Sequence, residues 1–126
     1  MSPCADAQVL DSLGAVTVPD SLIDDAARRF ALLSDPTRLR ILALLLEREP
    51  MTVTELSDSL GIAAPNVSQH LARLSTGRLV GREKQGRTVH YRTIDPSLHP
   101  LCELMCTSLV GQAQRLSVHP SRAREG

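Results

Sequence analysis

Aromatic residues and long apolar runs are nearly absent from this chain of 126 residues. It contains one phenylalanine, one tyrosine and no tryptophan. Its core must therefore be built from aliphatic side chains and methionine, which favours packed helices over a β-sandwich. No apolar run approaches the roughly 20 residues that span a bilayer. At this length a single domain is expected.

A secretory leader is also missing from the N-terminus, where aspartates interrupt the short apolar stretches and no basic segment precedes them. The chain has three cysteines. Without an export signal they indicate a reducing cytoplasm, in which thiols serve more often as ligands or sensors than as disulfides. We therefore expect a cytoplasmic protein with no membrane association.

Catalytic motifs are missing as well. The chain has no Ser/His/Asp arrangement with a glycine elbow, no phosphate-cradling glycine loop and no paired carboxylates suited to a cleft. His99 and Cys102 fall on one exposed helical turn without an oxyanion site or a substrate pocket. We expect that the protein is not an enzyme.

The net charge is zero, but the charge is segregated along the chain. Residues 1–35 carry six acidic and two basic side chains, whereas residues 63–92 carry six basic side chains and one acidic side chain. A basic segment of this kind is typical of a surface that binds nucleic acid. Its affinity should depend strongly on salt, because neutralising phosphates releases counterions.

Residues 52–74 show the pattern of two short helices joined by a glycine turn. Thr52 is suited to cap the first helix, and Glu55 three residues later completes a capping box. Gly61 supplies the left-handed residue that ends this helix. Pro65 occupies the first turn of the second helix, where its missing N–H costs little.

The second of these helices has an apolar face, formed by Val67, Leu71 and Leu74, and a polar face. A helix-turn-helix presents such polar residues to base edges in the major groove. A helical hairpin with a solvated polar face is the alternative. The side chains that are left to point outward are Asn66, Ser68, Gln69, His70 and Arg73.

Residues 79–93 contain two runs of strand-forming residues around a polar turn at residues 83–86, which predicts a β-hairpin. A helix-turn-helix followed by a basic hairpin is a winged helix, whose wing lies on the phosphate backbone. A winged-helix module that binds only proteins is the competing hypothesis, but it would not need an exposed polar helix beside a basic wing. The predicted DNA contacts are Thr52, Asn66, Ser68, Gln69, His70, Arg73, Lys84 and Arg87.

The pattern divides the chain into a flexible arm over residues 1–18, a DNA-binding and dimerisation domain over residues 19–117 and a disordered tail over residues 118–126. The final helix, ending near Leu116, carries an apolar stripe. With the first helix it predicts a homodimer interface, so that two recognition helices address a palindromic site. Packing of this helix within its own chain is the alternative. The first helix should start near Ser21 and face inward through Leu22, Ile23, Ala26, Phe30 and Leu33.

Three motifs together resemble the ArsR/SmtB family of bacterial repressors. They are FALLSDPTRLRIL at residues 30–42, PNVSQHLARL at residues 65–74 and GRTVHYR at residues 86–92. The resemblance extends over residues 21–115. It implies a homodimeric winged-helix repressor that leaves its operator when an inducer binds, commonly a metal or metalloid ion.

The inducer sites of that family are matched only in part. The arsenic-type site has a Cys-x-Cys pair where this chain has Thr52 and Thr54. The zinc-type site begins with an Asp-x-His pair, of which Asp95 is present but Ser97 replaces the histidine. Its later ligands are replaced by Ser108 and Gly111, so neither site is expected here.

A different metal site is predicted on the last helix. Cys102 and Cys106 lie one helical turn apart, which brings both sulfurs within chelating reach, and His99 projects to the same side. A third sulfur from Cys4 would complete a site for arsenite-like ions, whereas His99 would suit Zn²⁺ or Cd²⁺. The candidate inducers are therefore As(III), Cd and Zn. A thiol redox or persulfide switch, or plain interface packing, are the alternatives for these cysteines.

Overall fold

The computed structural model describes the backbone of residues 19–125 and the side chains of residues 19–116. Cys4 and the predicted arm over residues 1–18 lie outside the described residues. The predicted helical fold with a small hairpin is confirmed. The elements follow in the order α1 (Asp20–Leu33), α2 (Pro36–Arg48), α3 (Val53–Leu60), α4 (Ala64–Thr76), β1 (Val80–Gln85), β2 (Thr88–Thr93) and α5 (Leu98–Glu125).

The core lies between α2, α3, α4 and the hairpin and is almost wholly aliphatic. Tyr91 of β2 is the one aromatic side chain in the described core, and its backbone exchanges hydrogen bonds of 2.8 and 3.0 Å with Met51. This pairing ties the hairpin to the segment that leads into α3. The side chains with the least exposure are Ile41, Leu42, Leu45, Leu56, Val67, Leu71, Leu74, Leu79, Val80 and Leu98.

The predicted capping signals set the start and end of α3. The Thr52 hydroxyl oxygen accepts the Glu55 N–H at 3.1 Å, and the Glu55 carboxylate accepts the Thr52 N–H at 2.9 Å. This reciprocal capping box satisfies two amides that the first turn leaves unpaired. Gly61 has φ of 67°, so the left-handed residue that ends α3 is also confirmed.

The wing is an antiparallel pair whose register runs from Val80 opposite Thr93 to Gln85 opposite Thr88. The predicted turn at residues 83–86 is wrong, because strand pairing continues through Gln85. The turn consists of Gly86 and Arg87, and Gly86 has φ of 63°. A two-residue hairpin turn needs a positive φ at its first central position, which glycine provides at no steric cost.

Four of the five inward positions predicted for α1 are wrong for the single chain, whereas Leu33 packs against the core as predicted. Phe30 is 60% exposed, Leu22, Ile23 and Ala26 are also exposed, and α1 contributes no buried residue. The reason is that α2, α3, α4 and the wing close the core by themselves. Of α1, only Leu32 and Leu33 pack against that core.

The last helix contacts the core at its start and then extends away from it. Leu98 is buried, whereas Leu104 is 74% exposed and the apolar side chains around it are exposed as well. The helical backbone continues to Glu125, past Leu116 where the sequence pattern predicted its end. Pro100 stands in the first turn, where no amide hydrogen is required. None of the described helices is long and apolar enough to cross a membrane.

Candidate DNA interface and thiol site

The polar face of α4 is exposed where the sequence predicted it. Asn66, Ser68, Gln69 and Arg73 are exposed, because the opposite face of α4 is held in the core. His70 differs from the other four. Its side chain is half-buried, and its Nδ1 atom is buried without a hydrogen-bond partner. The structure therefore directs His70 only partly toward the predicted DNA surface.

The wing adds cations next to this face. Arg82, Lys84 and Arg87 are exposed, whereas Arg92 pairs across the strands with Glu83 at 3.5 Å. Lys84 and Arg87 lie at the hairpin tip, as a phosphate contact requires.

Thr52, which the sequence predicted as a DNA contact, also caps α3, since its hydroxyl accepts the Glu55 N–H. It is half-buried at the N-terminus of α3. A capping hydroxyl can still donate its own hydrogen to an incoming acceptor.

The two cysteines of α5 are free thiols in different surroundings. Cys102 is half-buried and Cys106 is exposed. Burial raises the pKa of Cys102, and the neighbouring Cys106 raises it further. A redox-sensing thiol is activated by a lowered pKa, so this environment does not favour spontaneous thiolate chemistry at Cys102.

His99 does not complete a three-ligand site with these cysteines. Over the side chains of residues 19–116, no group of three or more His, Cys, Asp or Glu residues is close enough to hold a metal ion. Of the four predicted ligands, the structure therefore places only Cys102 and Cys106 as neighbours on one helical turn. Cys4 lies outside the described residues.

The Asp95 carboxylate is engaged in hydrogen bonds within the protein. It accepts the Ser97 N–H at 2.9 Å, the Ser97 hydroxyl at 2.7 Å and the Arg29 guanidinium at 2.7 Å. Burial alone would raise the pKa of Asp95, but the bonds from Ser97 and Arg29 outweigh it and lower that pKa. Arg29 is 66 residues away in sequence, and no local pattern indicates the pair.

Comparisons with known proteins agree with this geometry. Residues 35–81 match the family described as "Bacterial regulatory protein, arsR family". The chain is 45% identical over 78 residues to the "HTH-type transcriptional regulator KmtR" of Mycobacterium tuberculosis, and the match covers 59% of each protein. It is 37% identical over 93 residues to the "Probable mercury resistance operon repressor" of Streptomyces lividans, covering 74% of each. The match thus spans less than two thirds of the first relative's length.

A solved structure shows the same architecture. The homodimeric winged helix-turn-helix DNA-binding domain Mb0332 from Mycobacterium bovis superposes with a TM-score of 0.69 at 25% identity. The match covers 76% of this chain and 88% of that chain. The curated relatives are named as a regulator and a repressor, not as enzymes.

Proposed function

This chain belongs to the arsR family of bacterial regulatory proteins, and from that premise we propose that it is a homodimeric repressor released from its operator by a thiophilic ion. The observation that carries the DNA-binding part is the exposed row of Asn66, Gln69 and Arg73 beside a basic wing. The observation that supports the ion-binding part is the pair of free thiols on one turn of α5.

The polar face of α4 supplies the groups that read a base sequence. Glutamine and asparagine form paired hydrogen bonds with adenine, and arginine does so with guanine, at about 1–3 kcal/mol of discrimination for each good pair. Lys84 and Arg87 on the wing would contact phosphates, which set the register of the protein on the duplex but carry no sequence information.

The unpaired apolar faces of α1 and α5 support a homodimer. Phe30, Leu104 and Met105 are each exposed by more than half. A second copy of the chain would bury both faces, and Mb0332 is homodimeric. Two recognition helices then lie one helical turn of DNA apart, which suits a palindromic operator.

The thiol pair lies on the helix that would form this dimer. Two thiolates bind soft ions such as As(III) and Cd²⁺, or borderline Zn²⁺, and one relative is named for mercury resistance. An ion that draws Cys102 and Cys106 together would change how the two α5 helices pack. The ion releases DNA if it binds more tightly to the dimer conformation in which the spacing of the two recognition helices does not match the operator. A third ligand from His99 or Cys4 stays a prediction.

The DNA-binding part is tested by fluorescence anisotropy with the native promoter fragment. Gln69→Ala and Arg73→Ala should each weaken binding by tenfold or more, while sedimentation shows an intact dimer. Gln85→Ala on the wing is the control for a polar side chain outside the α4 face, and its affinity should stay close to that of the native chain. Unchanged affinity in both α4 variants would favour the protein-interaction module instead.

The inducer is tested by titrating the reduced protein–DNA complex with arsenite, Cd²⁺, Zn²⁺, Hg²⁺ and a persulfide donor. Release by one metal or metalloid ion, lost in Cys102→Ser/Cys106→Ser, is the expected result. Cys4→Ser is a third variant, and it shows whether Cys4 is a ligand. Release by the persulfide donor alone would establish a redox switch. If none of these agents releases the DNA, the two cysteines are packing residues.

A further inference from the structure

A groove of about 890 Å³ opens between α1 and the C-terminal half of α4. Its lining is strongly basic, since Asp25 is its one acidic side chain among the residues that line it. Of the residues that line it, Arg73 alone takes part in the proposed base readout, and none belongs to the thiol site. The cations that line it are Arg28, Arg29, Arg38, Arg73 and Arg78.

Two of these arginines serve the fold. Arg29 pairs with Asp95 at 2.7 Å and with Asp25 at 3.4 Å. Arg38 donates its Nε hydrogen to the Leu32 carbonyl oxygen at 2.8 Å, which satisfies the end of α1. Their guanidinium groups are therefore committed to protein partners.

The other three are available to a ligand. Arg28 lies 4.0 Å from Asp25 with a side chain that is 70% exposed, which makes a weak pair at most. The side chains of Arg73 and Arg78 are exposed and have no hydrogen bond or ion pair with any residue in the described part of the chain. Two unpaired guanidinium groups and the weakly paired one of Arg28 in a single groove create a site for an anion.

Arg78 also holds an unfavourable backbone conformation. The Leu79 N–H reaches the Leu74 carbonyl and the Arg78 N–H reaches the Ser75 carbonyl, which is the Schellman ending of a helix. In that motif the left-handed position is usually glycine, but here it is Arg78 with φ of 64°. The strain costs on the order of 1–2 kcal/mol. Strain retained at a residue whose side chain contacts no protein partner indicates a function outside the fold.

The groove continues the DNA-reading face of α4. At about 100° per residue, Arg73 and Thr76 lie within about 40° of Gln69 on the helix. The lining of the groove is therefore the C-terminal extension of the row formed by Asn66 and Gln69. A duplex that presents its base edges to that row brings a phosphate backbone alongside it.

The proposed dimer would leave the groove open. On α1, Arg28 lies about 160° from Phe30 around the helix axis, so the basic and apolar faces point in nearly opposite directions. A second copy seated on Phe30 does not cover Arg28.

We propose that this groove binds the sugar-phosphate backbone of the operator duplex, with Arg28 and Arg78 each paired to a phosphate oxygen. Arg73 stands between these phosphate contacts and the base-reading residues. Guanidinium groups suit this task because their planar fork matches two phosphate oxygens at once. The inference rests on the DNA binding proposed above and extends its footprint beyond α4 and the wing.

The salt dependence of operator affinity tests the proposal in the full-length dimer. Each phosphate contact contributes about 0.9 to the slope of log affinity against log salt concentration. Arg28→Ala and Arg78→Gly should each lower the slope by about this amount and should weaken binding to operator and unrelated duplexes equally. Arg40→Ala, an exposed arginine outside the groove, removes the same charge and should leave the slope unchanged. Unchanged slopes in both groove variants overturn the proposal.

Arg78→Gly separates folding from binding. Removing the strain should raise the midpoint of thermal unfolding, while DNA affinity falls, so that lost affinity cannot be attributed to a damaged fold. Arg78→Lys retains the charge and should retain the slope. A titration with inorganic phosphate and a mononucleotide forms the second arm. Groove-dependent binding of either one, without any change in the DNA slope, would assign the groove to a soluble phosphate ligand and overturn the proposal.

The outcomes also distinguish this inference from the proposed function. A native chain that binds no duplex contradicts the proposed repressor itself. Operator binding that depends on Gln69 but keeps its salt slope in the groove variants contradicts only the backbone contact.

Discussion

The Arg29 guanidinium donates to the Asp95 carboxylate at 2.7 Å and links α1 to the segment that precedes the last helix. Asp95 is the more enclosed partner, with a side chain that is 8% exposed, whereas that of Arg29 is 38% exposed. The pair therefore joins the two helices that carry the exposed apolar faces. It also holds the start of α5, which carries both thiols.

Asp95→Asn should lower the free energy of unfolding at pH 7 by about 1 kcal/mol, because one side of the pair is open to solvent and the gain is screened. The pKa of Asp95 is lowered in the folded chain. A lowered carboxyl pKa stabilises the fold above the unfolded value of about 3.9, and the stabilisation is lost as the pH falls through the folded value.

Urea unfolding at one fixed chain concentration, from pH 7 down to pH 3, measures this difference. The difference in stability between native chain and variant should narrow as the pH falls below about 3.9. Asp24→Asn, at an exposed position on α1, controls for the general effect of one less negative charge. A gap between native chain and Asp95→Asn that is equally wide at both ends of the range would contradict the assignment.

Metal affinity at the thiol pair should rise steeply with pH. A thiol must lose its proton to bind an ion, and burial has raised the pKa of Cys102. Loss of the Cys102 proton should raise the apparent affinity by up to about tenfold per pH unit. Competition titrations at pH 6.5, 7.5 and 8.5 measure this, with Cys102→Ser expected to lose that dependence. An affinity that is independent of pH would show that the ion binds elsewhere.

The dimer should depend on the exposed apolar faces. Leu104→Glu and Phe30→Glu place charges at side chains that are 74% and 60% exposed in the single chain. Each variant should keep its helical circular dichroism and sediment as a monomer at micromolar concentration. Glu103→Lys changes the charge at an exposed position of α5 on the side opposite Leu101 and Met105, and this variant should stay dimeric. Sedimentation of both apolar variants as dimers would mean that another surface joins the subunits.

Gly77 permits the close approach of α1 to the end of α4. A Cβ atom added there would collide with the Leu32 Cδ1 atom, although φ at Gly77 is an ordinary −80°. Gly77→Ala should therefore lower the free energy of unfolding by about 1–3 kcal/mol through overpacking.

A double-mutant cycle with Leu32→Ala checks that explanation. With the leucine removed, the same glycine substitution should cost far less, because the clashing atom is gone. An equal cost in both backgrounds would indicate backbone strain instead of the contact with Leu32.

Local signals predicted the local structure well. The capping box at Thr52, the left-handed Gly61 and the polar row on α4 all follow from interactions among residues a few positions apart. The same signals misplaced the wing turn, because the extent of strand pairing depends on cross-strand partners and not on the polarity of the turn. They also placed the apolar side of α1 in the core, because amphipathic spacing identifies an apolar face but not what covers it.

The sequence by itself determined the helix boundaries near the caps, the DNA-reading face and the one-turn spacing of Cys102 and Cys106, since each depends on neighbours along the chain. Only the tertiary structure decided that Arg29 holds Asp95 and that arginines of α1 and of the end of α4 meet in one groove. Those relationships join segments that are far apart in sequence. They arise from the packing of complete helices and strands against one another, and no local sequence pattern encodes that packing.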